Sequence, residues 1–280
     1  MMIVSSIVEL RALRARLPGP VGFVPTMGFL HDGHLSLVRQ ARHECASAVV
    51  SIFVNPTQFG PGEDLSRYPR NLARDQAMLE SEDVDILWLP TPEQMYPPGY
   101  QTWVTVEEAS NPLEGAARPG HFRGVATVVA KLFNAVQPDM AYFGQKDAQQ
   151  VAVIRQMTRD LNFPVEIVVC TTARETDGLA MSSRNLYLNA QERKAATVLF
   201  RSLSAAKDAF AGGERDARKL RMKMEEILAG EVLARPQYIS CAHPLTLQEL
   251  DIITDDALLS MAVYVGTTRL IDNVLLQQEM

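Results

Sequence analysis

Short apolar runs alternate along the chain with longer segments whose apolar residues recur every three or four positions. The runs are Val21 to Pro25, Ala48 to Val54, Asp85 to Leu89, Asp139 to Phe143 and Val165 to Cys170. They are rich in β-branched residues and do not alternate with polar ones, the pattern of strands covered on both faces. Between them, Leu35 to Ala48, Leu72 to Glu82, Val125 to Val136 and Ala148 to Leu161 carry the spacing of amphipathic helices. The alternation predicts βαβ units on a parallel sheet, hence an α/β fold. Met95 to Gly115 breaks into Pro-rich turns around a short strand candidate, Thr102 to Val106, and predicts an insertion at the sheet edge.

After Thr172 the pattern changes. A stretch with Asp177, Gly178, Ser182, Ser183 and Asn185 leads into two helical patterns, Ala190 to Ala211 and Asp216 to Ala234. Gln237 to Ala242, Ser260 to Val265 and Leu270 to Leu275 then read as a small antiparallel sheet. The boundary is expected within 172–185, dividing the chain into a larger domain, 1–175, and a smaller α+β lid domain, 176–280. No internal repeat or low-complexity tract appears, and Gly212-Gly213 reads as a helix-ending turn.

Composition narrows the function. A chain of 280 residues suffices for one or two compact domains. Its net charge of −6 gives no excess of Lys and Arg for phosphate-backbone contacts, so no nucleic-acid partner is expected. The three cysteines, Cys45, Cys170 and Cys241, show neither metal nor disulfide spacing, which suits a reducing cytoplasm. Glu9 and Arg11 interrupt the N-terminal stretch before a signal-peptide core is complete, and no apolar run approaches the ~20 residues of a membrane span. No export and no membrane partner are expected.

The densest chemistry is Pro25-Thr26-Met27-Gly28-Phe29-Leu30-His31-Asp32-Gly33-His34, at the end of a strand and the start of a helix. Ligands of open α/β sheets sit there, and the free N–H groups of a helix start attract anions. With His31 in the entering turn, both imidazoles can face one ligand and, as cations or donors, stabilise charge developing on a phosphate. The pattern is neither G-x-G-x-x-G nor a P-loop, and a helix entry with two surface histidines is the plain alternative.

PTMGFLHDGH at 25–34, FVNPTQF at 53–59, YPRN at 68–71, HFRGV at 121–125, FGQKDAQQ at 143–150 and DGLAMSSRN at 177–185 stand in order. Together they make the chain resemble the pantothenate synthetase (pantoate–β-alanine ligase) family, whose nucleotide domain is similar to class I aminoacyl-tRNA synthetases. The resemblance implies a Rossmann-like, doubly wound sheet and ATP-dependent amide formation between (R)-pantoate and β-alanine. The reaction runs through a pantoyl adenylate and releases AMP and pyrophosphate. It implies an ATP site of Met27, Gly28, His31, Gly33, His34, Gly144, Lys146, Asp147, Ala173, Met181, Ser182, Ser183 and Arg184. His34, His31, Lys146 and Arg184 are its catalytic candidates. Gln58 and Gln150 match the glutamines that hold pantoate, with Asn55 supporting the same pocket. An amide suits a hydroxy acid because it donates and accepts without binding the carboxylate as tightly as a cation would.

Lys146 can meet phosphate as a point charge, and Asp147 can take a helix N-cap or a ribose hydroxyl. Gln145 stands where glutamate is common in the family, with little expected consequence. Met181 to Arg184 resembles the mobile K-M-S-K-S loop, closing over phosphates. Mg²⁺ is expected to accompany ATP, with protein ligands unassigned and Asp75 a candidate only by position. Arg123 is expected to face substrate or phosphates, or else to pair structurally. A homodimer is expected from the family, and the strand and helix after Asp85 carry apolar residues that look exposed. The competing readings are another H-x-G-H nucleotidyltransferase and a nonenzymatic nucleotide-binding module.

Overall fold

Six parallel strands form the main sheet of the computed structural model, which describes residues 1–277. They are β1 (Met2–Val4), β2 (Val21–Thr26), β3 (Ser47–Ile52), β4 (Ile86–Trp88), β5 (Met140–Gly144) and β6 (Glu166–Cys170). Their order is β1-β4-β3-β2-β5-β6. The connecting helices are α1 (Ile7–Arg14), α2 (Asp32–Glu44), α3 (Leu72–Ser81), α4 (Pro92–Met95), α5 (Glu114–Ala117), α6 (His121–Val136) and α7 (Ala148–Asp160).

The strands are apolar throughout because both faces are covered. Phe23, Val49, Ile86 and Phe143 pack in one cluster with α6 and α7, while Val24, Val50, Leu87 and Tyr142 join a second with α2. Successive residues of a strand thus feed opposite cores. From β2 the chain winds outward through β3 and β4, then returns to lay β5 on the other side of β2. The crevice beyond the carboxyl ends of β2 and β5 is therefore the topological switch point.

Beyond β6 lie α8 (Ala190–Ala195), α9 (Val198–Ala211), α10 (Ala217–Ala229) and the antiparallel β7 (Ala234–Ala242), β8 (Ala257–Val265) and β9 (Thr268–Leu276). Leu199, Leu203, Leu220, Met224, Leu259 and Met261 belong to a core of their own. Two ion pairs tie β9 to the larger unit. Arg269 grips the buried Glu114 through bonds of 2.8 and 2.6 Å, and Asp272 takes Arg174 at 2.7 and 2.9 Å.

Several expectations are corrected. The Thr102–Val106 segment joins no strand. The Val104 N–H is held by the Thr127 hydroxyl at 3.0 Å, so a side chain replaces a ladder partner. The helical pattern from Ala190 breaks after Ala195, where the Thr197 hydroxyl donates to the Lys194 carbonyl at 2.9 Å and turns the chain. The apolar residues after Asp85 that look exposed are the fully buried Ile86, Leu87 and Trp88, with Met95 equally buried. The edge strand β1 and helix α1, three and eight residues long, lie outside the predicted pattern.

Candidate active site

The chain leaves β2 through a turn that glycine makes possible. Gly28 has φ +81°, and a Cβ there would stand 2.8 Å from the Ile52 side chain. Gly28 is not among the residues lining the cleft, and serves instead the turn that leads to His31. The buried Asp75 of α3 closes the turn by accepting the Phe29 and Leu30 N–H groups at 2.7 and 2.8 Å. That occupies the carboxylate proposed by position as a metal ligand, and makes it a clasp for the histidine loop.

His31 is the N-cap of α2, and His34 is its third residue. The His31 Nδ1 accepts the Gly33 N–H at 3.1 Å, and the His34 Nδ1 accepts the His31 N–H at 3.3 Å. The two rings lie 4.0 Å apart. This reciprocal cap uses backbone donors that an anion was expected to meet, so the helix offers imidazole instead. With Nδ1 accepting in both rings, the proton of each neutral ring sits on Nε2 and is free for a ligand. Gly33 permits the arrangement, since a Cβ there would come within 2.9 Å of the His31 ring.

Both rings are neutral donors at neutral pH. Burial, with Lys146 nearby, lowers His31 to about 4, and burial, His31 and Lys146 lower His34 to about 3. His121, at the start of α6, is lowered to about 4 by burial and by Arg118. The unfolded chain binds protons at these histidines below about pH 6.5, whereas the folded chain does not. Stability is thus whole above that pH and lost as pH falls. Chemical denaturation should show a midpoint that declines steadily from pH 6.5 to 4.5, before most carboxylates titrate; a flat profile there would contradict the buried, neutral histidines.

Across the crevice, Gly144 ends β5 and a tight turn carries Lys146 into α7. The Lys146 ammonium stands 4.0 Å from the Asp147 carboxylate, a loose pairing that leaves it able to meet phosphate. Asp147 occupies the N-cap position of α7 without making a cap bond. Of its two expected roles the cap is absent, and its half-exposed carboxylate stays open to a hydroxyl. Ala173, after β6, uses its carbonyl to take the Met181 N–H at 2.9 Å, joining two loops of the wall.

The amides divide sharply. Asn55 is buried and fully engaged: Oδ1 accepts from the hydroxyls of Thr57 and Tyr96, each at 2.9 Å, and Nδ2 donates to Gly124 O and to Gln58 Oε1. Asn55 therefore stands behind Gln58 and orients it. Among the described residues Gln58 Nε2 reaches only the soft Met27 sulfur, at 3.2 Å. The side-chain amide of Gln150 makes no hydrogen bond among the described residues, yet it lines the cleft.

Two groups outside the predicted set complete this end. Arg118 pairs bidentately with Glu63 at 2.7 Å and donates to His121 Nε2 at 3.1 Å, so His121 Nδ1–H donates to the Gln58 carbonyl at 2.8 Å. His121 belongs to the motif HFRGV, but its role depends on Arg118, which lies outside it. Tyr68 also lines the cleft. Arg123 does not reach it. Its guanidinium stacks 4.4 Å over the Trp103 ring and forms no salt bridge among the described residues.

Met181 to Arg184 forms the remaining wall. Ser183 donates to the Phe29 carbonyl at 3.3 Å, and Arg184 holds Asp64 through two bonds of 2.9 and 2.8 Å. Burial raises the Asp64 carboxyl, but the Arg184 guanidinium outweighs it and holds Asp64 below the usual carboxylate range. Ser182 caps the following turn by accepting the Arg184 N–H at 3.2 Å. The loop is thus latched to the larger unit, with part of the Arg184 donor set committed to Asp64.

The resulting cleft has a volume of about 230 Å³ and adjoins a second of about 610 Å³ that shares Arg118, Lys146, Asp147, Ser182 and Arg184. Together they fall in the size range of small-molecule sites. No group of three or more His, Cys, Asp or Glu side chains able to hold a metal occurs among the described residues. No described helix is long and apolar enough to cross a membrane.

The model of the family described as pantoate-beta-alanine ligase matches residues 2–275. A pantothenate synthetase of Chloroflexus aurantiacus is 62% identical over 280 residues, covering 100% of this chain and 99% of the relative. One from Roseiflexus castenholzii is 61% identical over 277 residues, 99% of this chain and all of the relative. The crystal structure of pantothenate synthetase from Thermus thermophilus superposes with a TM-score of 0.95 at 50% identity, covering 99% of this chain and 100% of that one. Pantoate-beta-alanine ligase from Francisella tularensis, complexed with beta-gamma ATP and β-alanine, gives 0.80 at 37%, covering 100% and 99%. With a switch-point cleft of two histidines, a lysine and two glutamines, and matches spanning nearly its whole length, the chain belongs to the pantoate–β-alanine ligase family.

Proposed function

We propose that the chain condenses (R)-pantoate with β-alanine at the expense of ATP, through a pantoyl adenylate held in the switch-point cleft. In the first step a pantoate carboxylate oxygen bonds to the α-phosphorus, and the bond from that phosphorus to the bridging oxygen breaks, releasing pyrophosphate. In the second the β-alanine nitrogen bonds to the acyl carbon as the acyl–oxygen bond breaks. AMP and a proton leave. The observation that carries this reading is the juxtaposition of two neutral imidazole donors and a loosely paired lysine with an amide-lined end.

The phosphates lie near His31, His34 and Lys146 in this reading. Phosphoryl transfer depends mainly on positioning and electrostatics, and donors held by a helix cap need little reorganisation as charge grows. His34 and His31 act as hydrogen-bond donors rather than cations. Met27, Gly33, Gly144, Ala173 and Met181 line the ATP region, with Asp147 available to a ribose hydroxyl. Ser182, Ser183 and Arg184 cover it and exclude water, which would hydrolyse the mixed anhydride. Asp75 and Asp64 are occupied by protein partners. Neither therefore offers a free carboxylate to Mg²⁺, which would be held chiefly by the triphosphate and would supply charge neutralisation there.

Gln58 and Gln150 hold pantoate, with Asn55 behind Gln58. Gln150→Ala should raise the pantoate KM about tenfold or more and leave ATP affinity within about twofold, because a substrate polar group left unpaired in a closed site costs roughly 1–3 kcal/mol. Steady-state kinetics varying each substrate checks this. Loss of ATP affinity with pantoate binding spared would reverse the pocket assignment.

A reducing cytoplasm suits the three free cysteines, and a homodimer is the assembly proposed. The function is tested by ATP–pyrophosphate exchange without β-alanine. Exchange that requires pantoate supports the adenylate; no exchange with pantoate would overturn it.

A further inference from the structure

The lysine turn at Gln145–Asp147 is held from outside its own sheet. Asn273 of β9 is 4% exposed, and its Nδ2 donates to the carbonyl of Gln145 at 3.0 Å and that of Lys146 at 2.8 Å. Its Oδ1 accepts from the Gln145 side chain at 3.2 Å. The preceding residue, Asp272, binds Arg174 on the loop after β6, and the Arg174 guanidinium also donates to the Asn273 carbonyl at 3.3 Å. Two successive residues of the smaller sheet therefore hold the loops after β5 and β6, the first by its backbone carbonyls and the second by its Arg174 side chain, and both loops line the cleft.

We infer that Asn273 is a positioning residue for the adenylation step: by fixing two carbonyls of the turn it aims the Lys146 ammonium at the phosphates. The inference rests on the adenylation reading, in which Lys146 meets ATP. No strong side-chain partner restrains Lys146, its only ion pair among the described residues being the 4.0 Å contact with Asp147. The direction of its side chain is thus inherited from the turn's backbone, and the turn's strongest external restraint is Asn273. A side-chain amide suits the place because one NH₂ supplies two donors while its oxygen takes a third bond. A carboxylate there would face two carbonyl oxygens with no proton to offer. Gln145, by contrast, contributes one side-chain bond and leaves both carbonyl restraints intact when removed.

The test is a double-mutant cycle read by pantoate-dependent ATP–pyrophosphate exchange at saturating substrates, with melting temperatures measured alongside. Asn273→Asp should slow exchange about tenfold in the parent through loss of the turn's two bonds. In a Lys146→Ala background the same change should matter less than about twofold, since it has no ammonium left to aim. Gln145→Ala should stay within about threefold of the parent. Asn273→Ala runs the same cycle should the aspartate variant melt below the assay temperature. Equal factors in the two backgrounds would make Asn273 a structural residue and overturn the inference. A parent that shows no exchange would remove the adenylation reading and this inference together, whereas an exchanging parent with additive variants removes this inference alone.

Discussion

His34→Ala should slow single-turnover adenylate formation by about 10²–10³-fold, roughly 3–4 kcal/mol in the barrier, with ATP affinity changed far less. His34 is lowered to about 3 by burial, by His31 and by Lys146, so it donates as a neutral ring. A neutral donor gives little to ground-state ATP and more to the transition state, where charge grows on the leaving phosphate oxygen. His34 also accepts the His31 N–H within the helix cap, and losing a cap costs on the order of 1 kcal/mol of stability. His34→Gln separates the two roles. Glutamine at the third helical position can restore the cap, so stability should recover without the rate. Rapid-quench measurement of AMP-linked product reads the rate; an alanine variant within threefold of the parent would remove His34 from the chemistry.

Lys146→Ala should have a comparable effect, about 10²-fold or more on adenylation, because it removes a formal cation whose charge acts on both imidazoles. Lys146→Arg should rescue poorly. A planar guanidinium is larger and directional, whereas the turn is built around a point charge. A second consequence follows from the shared field. Lys146 contributes to lowering both His31 and His34, so its loss should move both upward toward 6.5 and soften the decline of stability between pH 6.5 and 4.5. NMR titration of the imidazoles tests this; unchanged values alongside a parent-like rate would show that the ammonium does not face the histidines.

Some of this architecture was legible in the chain and some was not. The two-faced burial of β2, β3 and β5 leaves a signal in unbroken apolar runs, because each residue must satisfy one of two cores. Strand β1 leaves none. It has three residues, pairs among the described residues with β4 alone, and keeps Met2 and Ile3 partly exposed. The cleft motifs were readable where chemistry and chain order coincide, as in His31 to His34. They misled where a side chain's partner is remote: Asp75 clasps a turn 45 residues earlier in the chain, and Arg123 finds Trp103 instead of the cleft. Arg118 and His121 escaped for the same reason, since their role appears only when α6 packs against the turn bearing Gln58. The reciprocal histidine cap is equally invisible in the chain. Sequence places two imidazoles three apart but not which nitrogen faces the backbone.

Oxygen transfer gives the central claim its most direct trial. Pantoate labelled with ¹⁸O in both carboxylate oxygens is turned over with ATP and β-alanine, and the nucleotide product is analysed by mass spectrometry. Attack by the carboxylate on the α-phosphorus, followed by amide formation, leaves one labelled oxygen in AMP and none in pyrophosphate. Label in inorganic phosphate with ADP as the nucleotide product would indicate an acyl phosphate, and unlabelled AMP would show that no bond forms between pantoate and the α-phosphorus; either result contradicts the adenylate proposed for this cleft.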